Sequence, residues 1–246
     1  MIEKSSNLSL VIPCYNEQDN LTLLFKKLLK IQAKFNEIIL VDNGSTDNTL
    51  LIIEDFIKNN DSCIKVLKIK KNIGYGNGIM SGIRKSSGQI VAWTHADLQT
   101  DPQDVVDAYQ YFVSKNGDRN FILKGKRKKR KSFDNLFTSL MSIVSSIAFN
   151  IRLSDINAQP KMFSRDFIKY IDNAPNDFSL DLFILVKAIK MNYTVLEYPV
   201  MFKNRNYGIS KGGGSFIGKI KLTLRTLSYI NKLRITLKKQ YGNHSS

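Results

Sequence analysis

The fold is decided by the stretch Ile90-Val-Ala-Trp-Thr-His-Ala-Asp-Leu-Gln-Thr-Asp-Pro102, where a short apolar run ends abruptly in polar side chains. Its apolar part, residues 90–94, is typical of a buried strand. Asp101 and Pro102 indicate the start of a helix, with Asp101 as the N-cap and Pro102 at the first helical position. Alternation along the extended chain would point three polar side chains the same way: His95, Asp97 and Gln99. Because ligands bind at the carboxyl ends of strands in open α/β sheets, this stretch predicts a metal or phosphate site.

The sequence before residue 124 alternates strand and helix signals. Strands are predicted at residues 8–12, 38–41, 66–69, 90–94 and 121–123. Helical spacing of apolar residues follows each of the first four: after Asp19 or Asn20 as the cap, from Thr49 to Asn59, within residues 74–85, and from Pro102. This rhythm predicts an α/β fold with a Rossmann-like, mostly parallel sheet flanked by helices on both faces.

Beyond residue 124 the pattern changes. We expect a helix at about residues 134–150, a turn at 155–161, a helix at 178–191, a strand at 194–200 and a basic amphipathic helix at about 215–239. We therefore divide the chain into a catalytic domain, 1–211, and a basic helical C-terminal extension, 212–246. No segment reaches the roughly 20 apolar residues of a membrane span, so any membrane contact is expected to be peripheral.

Charge restricts the possible partners. The 246 residues include 37 Lys and Arg against 21 Asp and Glu, a net charge of +16. Such a chain attracts nucleic acid, anionic lipid or phosphorylated substrates. Seven of the eight residues in 124–131 are basic. That run is interpretable as a solvated loop, as a nucleic-acid site or as a membrane-facing loop. The absence of a recognised nucleic-acid-binding motif argues against nucleic acid.

Four polar clusters follow successive predicted strands, and a parallel sheet would bring them to one edge. They are Pro13-Cys-Tyr-Asn-Glu17, Asp42-Asn-Gly-Ser-Thr-Asp47, Asn72-Ile-Gly-Tyr-Gly-Asn-Gly78 and His95-Ala-Asp-Leu-Gln99. The glycines let the backbone approach a ligand closely, and the helix N-terminus that follows favours anions. Asp97 and Gln99 offer hard oxygen ligands for Mg²⁺ or Mn²⁺, which would bridge a diphosphate.

On these clusters the chain resembles the family 2 glycosyltransferases of the GT-A fold. The matching motifs are Val11-Ile-Pro-Cys-Tyr-Asn-Glu17, Val41-Asp-Asn-Gly-Ser-Thr-Asp-Asn-Thr49, Asn72-Ile-Gly-Tyr-Gly76 and Ala96-Asp-Leu-Gln99. Gly125-Lys-Arg127 and Arg205-Asn-Tyr-Gly-Ile-Ser-Lys211 make it most similar to the dolichol-phosphate mannosyltransferase and bacterial polyprenyl-phosphate glycosyltransferase branch.

The resemblance implies an inverting glycosyltransferase that uses a nucleotide-diphosphate sugar. It assigns nucleotide-sugar binding to Pro13, Tyr15, Glu17, Asp42, Asn72, Gly74, Asp97, Arg205, Ser210 and Lys211. Within this set, Arg205, Ser210 and Lys211 would clamp phosphates. It assigns the catalytic roles to Asp97, Gln99 and Arg127, with Arg127 facing the acceptor phosphate. Asp97 and Gln99 would hold a divalent metal, Mg²⁺ or Mn²⁺.

One position departs from the family pattern. The family usually has Asp-x-Asp-x-Gln, whereas this chain has His95 in place of the first carboxylate. An imidazole nitrogen suits Mn²⁺ better than Mg²⁺. Two interpretations stay open: His95 ligates the metal, or it only makes hydrogen bonds nearby.

The acceptor has two candidates. A polyprenyl phosphate carries an anionic oxygen and needs no strong base, whereas a saccharide hydroxyl needs a carboxylate base. The candidate bases are Asp155, Asp177 and Asp181. The lipid acceptor would place the protein peripherally on the cytoplasmic face of the inner membrane. The amphipathic tail helix, with Phe216, Ile220, Leu224 and Leu227 on one face, would lie on the membrane or pack on the domain.

Overall fold

A computed structural model describes residues 7–115, 118–128, 132–205 and 216–242. Its strands are β1 (Leu8–Cys14), β2 (Glu37–Asp42), β3 (Ile64–Lys68), β4 (Ile90–Trp93), β5 (Phe121–Lys128), β6 (Lys161–Ser164) and β7 (Thr194–Met201). Its α-helices are α1 (Gln18–Ile31), α2 (Thr49–Asn59), α3 (Tyr75–Lys85), α4 (Gln103–Ser114), α5 (Ser132–Phe149), α6 (Leu180–Lys190) and α7 (Phe216–Gly242). Two 3₁₀ helices, Gln32–Lys34 and Arg165–Tyr170, complete these elements.

The described strands form one sheet in the order β3-β2-β1-β4-β6-β5-β7. Strands β1 to β4 are parallel, β6 is antiparallel to both β4 and β5, and β7 is parallel to β5. Only β6 therefore runs against the others. The predicted α/β fold with a mostly parallel sheet is confirmed, and the carboxyl ends of β1 to β4 meet at one edge.

Alternate residues of the sheet enter two hydrophobic layers. Val11, Val41 and Trp93 face a layer completed by α3, α5, α6 and α7. Leu10 and Leu40 face the opposite layer, which α1, α2 and α4 complete. Helices thus cover both faces, as predicted. The central strands are almost continuously apolar because both of their faces are buried.

Strand β6 was not predicted from the sequence. Its four residues, Lys161-Met-Phe-Ser164, carry no long periodic pattern, and the segment before them looks like a turn. All four are buried because neighbours lie on both sides of the strand. Its position between β4 and β5 depends on tertiary pairing, which a short local pattern does not encode.

Several predicted boundaries were also wrong. β4 ends at Trp93 and the next residues turn, with Leu98 at φ 58°, so alternation does not carry through residues 95–99. Helix α1 begins at Gln18, so Glu17 is at the N-cap position instead of Asp19 or Asn20. Helix α4 begins at Gln103, one residue later than predicted, although the Asp101 carboxylate still accepts a hydrogen bond from the Gln103 N–H at 3.2 Å.

The basic run is not a loop throughout, and the tail helix packs partly on the core. β5 continues to Lys128, so the first five residues of the run form a strand, and residues 129–131 lie outside the described part of the chain. In α7, Ile230, Leu233 and Leu237 are buried on the core, whereas Leu224 of the predicted apolar face is 61% exposed. The side chains of Phe216 and Ile220 lie outside the description. Among the described residues, no helix has both the length and the apolarity of a bilayer-spanning segment.

Candidate active site

The loop after β1 is joined to the loop after β2 by hydrogen bonds. The Asn16 N–H donates to Ser45 Oγ at 3.1 Å, and the Glu17 N–H donates to Thr49 Oγ1 at 2.8 Å. Asn16 adopts φ 54°, a left-handed conformation that asparagine tolerates better than most residues. The first two polar clusters therefore form one surface.

The remaining clusters extend this surface along the sheet edge. Asn43 Nδ2 donates to the Gly74 carbonyl at 3.0 Å, which links the loops after β2 and β3. Tyr75 Oη lies 2.9 Å from His95 Nε2, which links the start of α3 to the loop after β4. The structure thus brings all four clusters together, as the sequence predicted.

The residues assigned to the nucleotide lie at the ends of β1 and β2. Pro13, Tyr15 and Glu17 are half-buried, whereas Asp42 is 3% exposed. Asp42 Oδ1 accepts a hydrogen bond from the Ser45 N–H at 3.3 Å, which holds the turn in place. These positions suit nucleotide recognition, which stays a prediction.

The glycines of the third cluster have a packing role. Gly74 adopts φ 136°, and a Cβ on it would lie 2.2 Å from the Asn176 carbonyl oxygen. A Cβ on Gly76 would lie 2.2 Å from the Pro175 carbonyl oxygen. Asn72 Oδ1 accepts a hydrogen bond from the Gly74 N–H at 2.8 Å and fixes the turn. These glycines therefore admit the backbone of residues 175–177, a requirement separate from the predicted approach to a ligand.

The two predicted metal ligands share one cationic partner. Asp97 is 3% exposed, and its Oδ2 accepts a hydrogen bond from Arg205 at 2.5 Å. Arg205 Nε also donates to Gln99 Oε1 at 3.3 Å. Both oxygens therefore converge on a single positive group. Two hard oxygens arranged in this way fit a divalent cation.

His95 occupies the place of the first carboxylate, and its Nε2 contacts the Tyr75 hydroxyl. Burial lowers the pKa of His95, and this outweighs the opposing charges of Asp97 and Asp181. The ring is therefore neutral near pH 7. Among the described residues, no three His, Cys, Asp or Glu side chains group as a metal site.

Arg127, assigned to the acceptor phosphate, is held by Asp155. The Arg127 N–H and Nε donate to the Asp155 carboxylate at 2.8 and 2.7 Å, and the guanidinium also lies over the Phe202 ring at 5.2 Å. Its side chain is 8% exposed. Asp155 therefore fixes the orientation of this arginine, and its assigned contact with a phosphate stays a prediction.

Two lysines beside Arg127 share another carboxylate. Lys124, 3% exposed, and Lys126, 60% exposed, each lie 2.8 Å from Glu197. Burial raises the pKa of Glu197, but hydrogen bonds from Lys124, Lys126 and Ser154 outweigh it and lower the pKa to about 2. The basic run is therefore partly neutralised where it forms strand β5.

Sequence reasoning did not predict that three residues group beside Tyr75 and His95. Gln159, Lys161 and Asp181 are buried together, and Gln159 reaches Tyr75. Asp181 entered only as a candidate base. No local signal joins positions separated by about 20 to 80 residues. Ser210 and Lys211 lie outside the described residues.

Comparison with known proteins agrees with this geometry. The model of glycosyl transferase family 2 matches residues 9–156. The chain is 26% identical over 241 residues to dodecaprenyl-phosphate galacturonate synthase of Rhizobium johnstonii, covering 94% of this chain and 69% of that protein. It is 24% identical over 247 residues to undecaprenyl-phosphate 4-deoxy-4-formamido-L-arabinose transferase of Proteus mirabilis, covering 98% of this chain and 73% of that protein.

Solved structures share the fold at lower identity. Glucosyl-3-phosphoglycerate synthase from Mycobacterium tuberculosis, in complex with Mn²⁺, UDP and phosphoglyceric acid, aligns with a TM-score of 0.71 at 14% identity, covering 92% of this chain and 78% of that one. A mannosyltransferase from Pyrobaculum calidifontis, in complex with GDP-Man and Mn²⁺, aligns with a TM-score of 0.61 at 17% identity, covering 85% and 58%. At these identities the likeness concerns the fold.

Proposed function

Because this chain belongs to glycosyl transferase family 2 and is a glycosyltransferase, we propose that it moves a sugar from a nucleotide-diphosphate sugar to a polyprenyl phosphate, with inversion at the anomeric carbon. The names of both sequence relatives specify a polyprenyl phosphate. The nucleotide donor is supported by two structural neighbours, which hold UDP and GDP-Man. The residues at the sheet edge suggest how the donor and the acceptor would be bound.

The donor half rests on the convergence of Asp97 and Gln99. When bound there, Mg²⁺ or Mn²⁺ would neutralise the diphosphate leaving group. Asp97 and Gln99 would hold it, and Arg205 would turn from them to the phosphates. The half-buried side chains at the ends of β1 and β2 would orient the nucleotide. Arg205 already pairs with the buried Asp97 carboxylate. That carboxylate would therefore have a cationic partner both before and after the metal binds.

The acceptor half rests on a basic strand end followed by an exposed apolar helix face, and this observation carries the proposal. Leu140, Ile143 and Ile147 are 52%, 55% and 77% exposed and lie on one face of α5. The opposite face buries Ser142 and Ser145 together with Phe149. Exposing three large aliphatic side chains on one face is unfavourable in water, so this face is suited to a lipid environment.

Basic residues lie on the strand that precedes α5 in the chain and on the helix that packs beside it. Lys126 and Arg127 lie on β5, the strand that precedes α5, and α7 packs beside α5 with exposed Arg225, Lys232 and Arg234. Cations next to an apolar face attract an anionic membrane surface. The lipid phosphate would then meet Arg127 at the end of β5. We place this contact on the cytoplasmic face of the membrane, where nucleotide sugars would supply the donor.

The partners of the three candidate bases also favour a phosphate acceptor over a hydroxyl acceptor. Asp155 is bound by Arg127, and Asp181 is bound by Lys161 inside the core. Asp177 accepts a hydrogen bond from the Ser179 N–H at 2.9 Å at the start of α6. All three candidate bases are therefore engaged, whereas a phosphate oxygen attacks without a base. Positioning and stabilisation of the leaving group would supply most of the rate.

The test is product analysis with defined acceptors. The protein is incubated with labelled UDP-, GDP- and dTDP-sugars, Mg²⁺ or Mn²⁺, and undecaprenyl phosphate in detergent or vesicles. We expect label to enter a lipid-extractable product. Label found only in a soluble glycan, with saccharide acceptors present and no lipid product, would refute the lipid acceptor and favour transfer to a hydroxyl.

A further inference from the structure

Glu197 on β7 contacts the segment that leads to Asp155. Its Oε1 accepts a hydrogen bond from Ser154 Oγ at 2.6 Å, and Ser154 directly precedes Asp155 in the chain. The Asp155 carboxylate in turn accepts hydrogen bonds from the Arg127 N–H at 2.8 Å and from Arg127 Nε at 2.7 Å. One continuous set of contacts therefore leads from the carboxylate of Glu197 to the guanidinium that was assigned to the acceptor phosphate.

The backbone conformation of Asp155 requires support from its surroundings. Asp155 adopts φ 41°, in the left-handed region, which is uncommon for residues other than glycine and persists where neighbouring contacts hold it. On the amino-terminal side, the Leu153 N–H donates to Ser146 Oγ on α5 at 2.9 Å. The hydrogen bond from Ser154 to Glu197 adds a side-chain contact with the sheet. The turn that carries Asp155 is therefore attached to both α5 and β7.

Glu197 is itself held by two cations. Lys124 and Lys126 each lie 2.8 Å from its carboxylate, and Lys124 is its partner in the parallel register of β5 and β7. Against the opposing effect of burial, its hydrogen bonds lower the pKa of Glu197 to about 2, so the carboxylate is ionised at pH 7. Ser154 thus donates to a charged acceptor, which makes a stronger hydrogen bond than a neutral one would.

We propose that Glu197 is a positioning residue that acts through Ser154 and Asp155 to orient the Arg127 guanidinium toward the acceptor phosphate. The acceptor in this statement rests on the proposed function, whereas the set of contacts is a property of the fold. Loss of the connection would let the turn at Asp155 move, and the guanidinium would then meet the phosphate in fewer productive orientations.

The charge of Glu197 by itself predicts the opposite effect. A carboxylate next to the basic residues of a phosphate site lowers the local positive potential and weakens the binding of an anion. If Glu197 acted only through its charge, its removal would strengthen acceptor binding. If Glu197 positions Arg127, its removal weakens acceptor binding. The sign of the change therefore distinguishes the two roles.

The Ser154→Ala variant removes the connecting hydroxyl and leaves every charge in place. With undecaprenyl phosphate varied in the lipid-product assay, we expect its KM to rise by at least about fivefold, while the KM for the nucleotide sugar stays within about twofold. Ser114→Ala on α4, whose hydroxyl donates to the Tyr111 carbonyl, is the matched control and should leave both values unchanged. An unchanged acceptor KM in Ser154→Ala would overturn the proposal.

The Glu197→Ala variant tests the sign. We expect the acceptor KM to rise by at least about fivefold, and a lower KM would show that Glu197 acts through its charge. The double variant with Ser154→Ala should bind the acceptor no more weakly than Glu197→Ala alone, because both changes remove the same connection. If Glu197→Ala does not fold because Lys124 loses its partner, Ser154→Ala still decides between the two roles.

The connection is also measurable without any substrate. The Nε–H signal of Arg127 in arginine-labelled protein, assigned by its loss in Arg127→Lys, reports how firmly Asp155 holds the guanidinium. We expect exchange of this proton with water to become at least about tenfold faster in Ser154→Ala and to stay unchanged in Ser114→Ala. Equal exchange in Ser154→Ala and the parent would contradict the proposal. A parent protein that forms no lipid-linked product would count against the proposed function, and the exchange rates would still decide whether Glu197 positions Arg127.

Discussion

Arg205 and Asp97 meet across 108 positions of sequence, and their contact gives the candidate site its electrostatic balance. A buried carboxylate without a partner is unfavourable, so the guanidinium stabilises Asp97 where no other cation is bound. We propose that the same carboxylate becomes available to a divalent ion once phosphates draw Arg205 away. At the residue scale, Asp97 is therefore the side chain on which we expect donor binding to depend most.

We expect Asp97→Ala to lower sugar transfer by at least about 100-fold, because it removes the charged ligand for the metal on the leaving diphosphate. The measurement is the initial transfer rate at saturating Mn²⁺ with the nucleotide sugar that the product assay selects. Asp107→Ala is the control, because Asp107 accepts a hydrogen bond from Gln103 within α4 and belongs to no part of the candidate site, so it should keep the parent rate. An Asp97→Ala rate within about tenfold of the parent would exclude this role.

Helix α5 presents apolar side chains to solvent as well as to the core. Its inner face packs Met141, Val144 and Phe149 against the core and also buries two serines, whereas three aliphatic side chains are exposed on its outer face. Helical periodicity alone reports that a helix has an apolar face, but the neighbouring elements decide which face is covered. At the element scale, the exposed face of α5, the helix that follows the basic strand β5 in the chain, is the membrane contact that we propose.

Replacement of Leu140, Ile143 and Ile147 together by serine should weaken binding to anionic lipid vesicles by at least about tenfold, since each partly inserted side chain contributes about 1 kcal/mol. Cosedimentation with vesicles measures the bound fraction. The thermal midpoint should not fall, because the three side chains are already exposed. Leu51→Ser on α2, 65% exposed on the other side of the sheet, is the control and should bind like the parent. Equal binding by the triple variant would remove α5 from the membrane contact.

At the scale of the whole molecule, Glu37 links three segments of the chain at the amino-terminal edge of the sheet. Its carboxylate accepts hydrogen bonds from Ser9 at 2.9 Å, from the Ser87 N–H at 2.6 Å and from Lys65 at 3.0 Å. One side chain thus joins β1, β3 and the turn before β4. Burial raises the pKa of Glu37, but these hydrogen bonds outweigh it and lower the pKa to about 2.

This pKa predicts how stability depends on pH. A carboxyl group with a folded-state pKa of about 2 and an ordinary value of 4.5 stabilises the fold above pH 4.5 and loses that contribution as the pH falls toward 2. Glu37→Gln should lower the free energy of unfolding at pH 7 by on the order of 1–2 kcal/mol, a value reduced for the solvent exposure of Lys65. It should also flatten the acid side of the profile.

Thermal or urea unfolding between pH 2 and 7 measures this profile. Glu54→Gln is the control, because Glu54 forms an exposed surface pair with Lys68 and such pairs contribute little. A Glu37→Gln protein with the parent's acid slope would show that another group causes the acid sensitivity.

The sequence by itself determined the β/α rhythm, the parallel sheet edge and the polar clusters that gather there. Helix α2 was predicted over its observed range, Thr49–Asn59, because apolar spacing and turn residues are local properties of the chain. Only the tertiary structure decided the insertion of β6, the exposed face of α5, and the contacts of Arg205 with Asp97 and of Tyr75 with His95. These features depend on which distant segments pack together, and packing free energy is shared among residues that no local pattern connects.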